Sequence, residues 1–336
     1  MTQSGGPSPV VVYQNAPKAG RWFLRGLLYL ILLASIVLNF VLILALGGLC
    51  ALNTTLMYTG HVREIVIRRG TQDKVAVIPI SGLVDGAMVE QVRADVQAIE
   101  HDPNIKAVVL RVDSPGGGVT DADECYHELL KLRMLNKPIV VSMGSLAASG
   151  AYYISMAAQE IYAEPTTITG SIGVMMPGFQ LTGLMKKIGV QPEFITSKPA
   201  VWKEAGSPFS QFTPQVKAYI QHLLDIDHRR FESIVQKGRG SRLAEPVAQI
   251  ANGKIWAAQA ALKKGLVDHI GYLSAAYHWV AKKANIYNPT IVELKPPQNI
   301  FNLIKAQGSL QSPALEVSPK TLFNLARPRF EYLCMP

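Results

Sequence analysis

AVVLRVDSPGGGV, residues 107–119, decides the architecture of this 336-residue chain. Its first half is an apolar, β-branched run and reads as a buried strand. Its second half stops that strand with Gly116, Gly117 and Gly118, which free φ and let another backbone approach closely. The next stretch, DADECYHELLKLRML (residues 121–135), carries apolar residues at helical spacing, and PIVVSMG (residues 138–144) is again a strand. Upstream, VAVIPISG (residues 75–82) and AMVEQVRADVQAIEHD (residues 87–102) repeat the alternation. Strands alternating with helices of this length imply crossover units and a largely parallel α/β sheet. Farther on, Thr213 and Pro214 supply an N-cap and a first-turn proline for a long helix expected to end at Gly238.

The N-terminal part obeys different rules. Residues 27–52, LLYLILLASIVLNFVLILALGGLCAL, contain no charge. A spanning helix needs about 20 apolar residues and a cleaved secretory segment only about 7–15, so this run is expected to anchor the chain. LGGLC before Ala51 has leucine, not a small residue, ahead of Cys50, which argues against a lipoprotein signal. Lys18, Arg21 and Arg25 precede the span without an acid, whereas Arg63, Arg68 and Arg69 after it are offset by Glu64. That slight bias favours a cytoplasmic N-terminus and a body outside the inner membrane. The expected divisions are a tail over 1–26, the anchor over 27–52, a connector over 53–73, a catalytic-size domain over 74–294 and a C-terminal tail over 295–336.

Composition narrows the functional classes. Hydrophobic residues make up 49% and charged residues 17%, and the net charge is +9. The basic residues are scattered, without a basic helix interleaved with aromatics, so nucleic acid is not an expected partner; anionic lipid is. Cys50, Cys125 and Cys334 lie far apart and offer neither a disulfide framework nor metal-ligand spacing, and no cofactor is expected.

Two segments carry possible chemistry. The glycines of DSPGGGV can leave backbone N–H groups pointing from a strand end, as half of an oxyanion hole or simply as a sharp turn. In SMGSLAASGAYYIS (residues 142–155), Ser149 sits among the smallest side chains at the expected start of a helix. No G-x-S-x-G pattern surrounds it. A glycine inside a helix costs about 1 kcal/mol against alanine, so tight packing alone is a poor reason for Gly150. A serine hydroxyl needs a base. None of the histidines, His61, His101, His127, His222, His228, His269 and His278, sits in a motif resembling a triad partner. A lysine can serve where burial disfavours its ammonium, and Lys203 in SKPAVWKEAGSPF (residues 197–209) has apolar neighbours.

Taken together, DSPGGGV, SMGSLAASGAYYIS, TGSIGV (residues 169–174), KEAGSPF and GKIWAAQAALKKGLVDHIG (residues 253–271) resemble the signal peptide peptidase A group of the protease IV family. The resemblance runs over residues 75–285. It implies a Clp-protease/crotonase-like fold of ββα units and a serine endopeptidase working through a serine–lysine dyad. On it, Ser149 matches the nucleophile, Lys203 the general base and Ser171 the residue that orients the lysine. Gly117 and Gly150 match the donors of the oxyanion hole. It further implies apolar peptide substrates, including remnant signal peptides, and a homo-oligomeric ring whose sites draw serine and lysine from neighbouring subunits. Two departures stand out. Ala151 replaces a second glycine after the nucleophile, and SKPAVWK lacks a glycine before the lysine, leaving Lys198 as a rival. The alternatives are an inactive membrane scaffold and a crotonase-like acyl-CoA enzyme, the latter needing neither Ser149 with Lys203 nor an anchor. The apolar end RPRFEYLCMP (residues 327–336) could reach the site as a self-ligand.

Overall fold

The computed structural model describes residues 19–58, 62–295 and 330–334. The chain divides into two units, residues 1–59 and 60–336. In the first, helix α1 (Ala19–Tyr58) contains the stretch Arg25–Gly48, which is long and apolar enough to cross a membrane and has no buried residue in its window. The helix begins inside the expected tail; the rest of that tail, residues 1–18, lies outside the described residues.

The second unit is built on one mixed sheet. Its centre is parallel: β2 (Thr71–Val84), β3 (Ile105–Gly118), β4 (Ile139–Ala148), β5 (Glu160–Ala163) and β8 (His269–Ile270) follow one another across it. The crossovers are α2 (Gly86–His101), capped by the Asp85 carboxylate, and α3 (Val119–Met134). On the far side of β2 lies β9 (Pro289–Lys295), parallel to it, and then β1 (Arg63–Arg68), antiparallel to β9. The residues expected to be a connector therefore contribute the edge strand β1, and Lys295, the first residue of the expected tail, completes β9. Arg63–Arg68 is almost wholly exposed, so no apolar period announced it.

Strand alternation sorts the core into two faces. From β3, Val108, Leu110 and Val112 join the larger cluster with α2, α3 and α4 (Gly150–Ser155). Ala107 and Val109 point the other way, onto Ala276 and Val280 of α9 (Leu273–Lys283). The long helix α6 (Pro214–Arg239) has the Thr213 cap and runs one residue beyond Gly238, turning at Gly240 with φ +55°. It is pinned by Arg239, whose guanidinium donates two bonds of 2.7 and 2.8 Å to Asp268 and one of 2.7 Å to the Gly265 carbonyl. This pair is almost fully buried.

Residues 176–213 are built differently. The short helix α5 (Thr182–Lys187) has no buried residue. Phe179, Leu184, Ile188, Phe194, Ile195 and Trp202 are all exposed.

Candidate active site

The site forms where β3 and β4 end. β4 stops at Ala148 and α4 starts at Gly150, so Ser149 makes the whole turn between strand and helix. Its backbone sits at φ +55° and ψ −119°, a region costing an L-residue on the order of 1–3 kcal/mol. Two bonds hold it there: its N–H donates to the Gly170 carbonyl at 2.8 Å, and its carbonyl accepts from Tyr153 N–H at 2.9 Å. This is the sharp strand–turn–helix geometry of a nucleophile elbow, reached without the G-x-S-x-G pattern. The absent motif was thus no guide to the backbone. Ser149 is 1% exposed, and its Oγ is among the few buried polar atoms with no hydrogen-bond partner.

The glycines of β3 run past this turn. Gly116 has φ +96°, and a Cβ there would fall 2.6 Å from Gly150 N; one on Gly117 would fall 2.0 Å from the Val84 carbonyl oxygen. Neither position tolerates a side chain. Gly117 N lies 3.2 Å from where a Gly150 Cβ would be, so the two expected oxyanion donors belong to one small space. Ala151 is buried in the core cluster of α4.

That space is occupied by the chain itself. Strand β10 (Glu331–Leu333) pairs antiparallel with β3, with Tyr332 opposite Gly117. Val119 N–H donates to the Phe330 carbonyl at 3.2 Å and Cys334 N–H to the Pro115 carbonyl at 2.8 Å. Bonded pairs in an antiparallel ladder recur every second residue, so Tyr332 and Gly117 form the bonded pair between these two. The Tyr332 oxygen also lies 3.2 Å from a Cβ built on Gly150, beside the second donor. On its other edge β10 exchanges bonds of 3.0 and 2.9 Å with Met175. A peptide in this groove is therefore held as a middle strand.

The Tyr332 side chain is fully buried. Its ring stacks on Tyr153 at 5.3 Å and 21°, tilts against Phe231 at 4.6 Å, and its hydroxyl donates to the Asp227 carbonyl at 2.8 Å. Burial raises the phenol pKa values of Tyr153 and Tyr332 well beyond the usual range, so both act as neutral groups. The sequence offered only the doubled tyrosine after Ser149 as a hint of this pocket. Beyond Tyr332, a cavity of about 510 Å³ is lined by Ser171, Met175, Lys254, Leu333 and Cys334 among others.

The expected residues are thus partly assembled. Ser149, Gly117 and Gly150 converge. Ser171, at φ +51°, follows the Gly170 whose carbonyl holds Ser149, and its N–H donates to the Lys254 carbonyl at 2.8 Å. Lys203 and Lys198 do not join them. Both are exposed on the 176–213 segment, and neither bonds the Ser149 hydroxyl. Among the described residues no group of three or more His, Cys, Asp or Glu is placed to hold a metal ion.

Comparison with known proteins fits this arrangement. A family model for peptidase family S49 matches residues 131–287, and one for Clp protease matches residues 66–169. A putative protease of Synechocystis sp. is 36% identical over 227 residues, 68% of this chain and 80% of that protein. The chain belongs to peptidase family S49. Its α/β fold is of the Clp-protease type. Other S49-type relatives are longer than the match. A putative signal peptide peptidase SppA of Enterococcus faecium is 36% identical over 59% of this chain and 56% of that protein. Protease 4 of Haemophilus influenzae is 35% identical over 66% of this chain and 36% of that protein. The chain spans little more than half of the first and about a third of the second.

Proposed function

We infer that the protein is a membrane-anchored serine endopeptidase that cleaves extended apolar peptides at Ser149. The observation that carries this is the position of β10. An extended segment lies along β3 with the Tyr332 carbonyl paired to Gly117 and close to Gly150, next to a buried, unpartnered serine hydroxyl on a strained turn. That is where a scissile carbonyl and its oxyanion need donors. Ser149 Oγ attacks the carbonyl carbon while a base takes its proton. The tetrahedral oxyanion is stabilised by the two N–H groups, and the same base then protonates the departing amine. Water hydrolyses the acyl-enzyme by the reverse steps.

The base is Lys203 of a second copy, with Ser171 orienting its amine. Two features support assignment in trans: Lys203 makes no bond to Ser149 of its own chain, and its segment exposes a run of large apolar side chains that a monomer leaves in water. The substrates proposed are apolar peptides, remnant signal peptides included, delivered near the membrane by the α1 anchor. The N-terminus is placed in the cytoplasm and the peptidase outside the inner membrane, in a homo-oligomeric ring.

The test is co-expression of Ser149→Ala and Lys203→Ala chains. Each alone should be inactive on a fluorogenic apolar peptide. Random assembly should restore roughly a quarter of wild-type sites, because one neighbour pair in four unites an intact serine with an intact lysine. Full activity in Ser149→Ala would end the proposal. Inactivity of the mixture, with wild type active, would place the base within one chain, and activity of Lys203→Ala alone would place it on another residue.

A further inference from the structure

The groove does more than hold a backbone: it contains one pocket shaped for one side chain. We propose that the site selects tyrosine at the residue whose carbonyl faces Gly117 and Gly150, and that Asp123 and Arg230 set this preference by fixing Tyr153. The proposal rests on the peptidase reading above.

The pocket is a stack of aromatic walls over a single acceptor. Tyr153 offers its face, Phe231 stands beside it at 5.1 Å and tilts against the Tyr332 ring, and Tyr126 meets the Tyr153 ring edge-on at 5.6 Å and 82°. At its end the Asp227 carbonyl waits for a donor, which the phenol supplies and a benzyl or alkyl group cannot. Occupancy leaves the Tyr332 ring with no exposed surface. Offset stacking and the bond to Asp227 both depend on where the Tyr153 ring stands, and that ring is held from two elements. Its hydroxyl donates to the Asp123 carboxylate of α3 and accepts from Arg230 Nε of α6 at 3.2 Å. Arg230 Nη2 closes the triangle on Asp123 at 2.9 Å. Asp123 and Arg230 are 41% and 49% exposed, so they do not hold up the core. Their hydrogen bonds go to Tyr153 and to each other, which makes them positioning residues.

The experiment uses the full chain in detergent micelles and four quenched peptides that differ only at this position: Tyr, Phe, Leu and Ala. The parent should favour Tyr over Phe by about three- to tenfold in kcat/KM, the worth of one neutral hydrogen bond. It should favour Tyr over Ala by roughly a hundredfold or more, with Leu between. Asp123→Asn and Arg230→Gln each free the ring. Each should cut the Tyr-to-Ala ratio about three- to tenfold, the range of an aromatic pair, while kcat on the Ala peptide stays at the parental value. A merely structural role would lower all four peptides together. Equal use of Tyr and Leu by the parent overturns the proposal, and an unaltered ratio in both variants overturns the role of the clamp. No hydrolysis of any peptide by the parent overturns the peptidase reading as well.

Discussion

Gly150→Ala separates catalysis from stability at a single atom. Gly150 opens α4 without a positive φ, so alanine fits its backbone. Alanine is the better helix former by about 1 kcal/mol, and by that measure the variant should be no less stable than the parent. The added methyl, however, would lie 3.2 Å from both Gly117 N and the Tyr332 carbonyl oxygen, and 3.3 Å from Gly116 Cα. Comfortable contacts of carbon begin near 3.5 Å, so the carbonyl in the groove must retreat by a few tenths of an ångström. Retreat stretches the bond from Gly117 N–H and draws the oxygen away from Gly150 N–H, the second proposed donor, and both contacts should tighten as charge develops on the oxygen. Losing one such donor costs roughly 10²–10³-fold in kcat, or ~2.7–4 kcal/mol. The assay pairs kcat and KM on an apolar fluorogenic peptide with thermal unfolding of the same preparation. The expected outcome is an unchanged or slightly higher Tm with kcat down at least a hundredfold. A folded variant whose kcat stays within threefold of the parent would refute the placement of the oxyanion.

Further outcomes follow from other parts of the molecule. Because β10 fills the groove, ending the chain after Arg329 should raise peptide hydrolysis several-fold, and a synthetic peptide of residues 330–336 should inhibit the shortened protein competitively; equal rates with and without the tail would deny it the site. Arg239→Ala leaves the nearly buried Asp268 carboxylate only Arg242 at 3.3 Å and the Ile161 N–H at 2.8 Å, and the loss of a buried pair member costs up to about 3–5 kcal/mol, visible as a fall in the denaturant midpoint. Asp95 in α2 is fully buried with only the Gln91 side chain to offset the loss of water, and burial pushes its pKa up to about 7. The folded state therefore holds a proton that the unfolded chain releases near pH 4. Stability should be greatest below pH 4 for this group and decline as pH rises to about 7, by at most ~4 kcal/mol, and Asp95→Asn should flatten that slope in urea titrations at successive pH values.

The crossover architecture was legible because parallel strands buried on both faces leave continuous apolar runs, as in residues 75–82 and 107–112, and because helices between them keep their own period. Ser149 and Gly117 were legible from the company of small residues that close backbone approach requires. Three things were hidden for physical reasons. The strained turn at Ser149 is enforced by the Gly170 carbonyl, a partner brought in by a different strand. The edge strand Arg63–Arg68 carries no burial pattern because almost nothing covers it. The tyrosine pocket draws Tyr153, Phe231 and Tyr332 from three distant places, and no local spacing joins them. Lys203 stands apart: its residue type and setting suggested a base, but it is exposed on the 176–213 segment and makes no bond to the Ser149 hydroxyl.

The backbone of Ser149 also says something about how such a chain would drift. At φ +55° a glycine would be relieved of strain worth on the order of 1–3 kcal/mol, so position 149 is one that selection for heat resistance alone would rewrite early. A library screened for folding should enrich Ser149→Gly, and one screened for peptide turnover should never contain it. The residue persists against its own conformational preference, and that tension can be read as the mark of use.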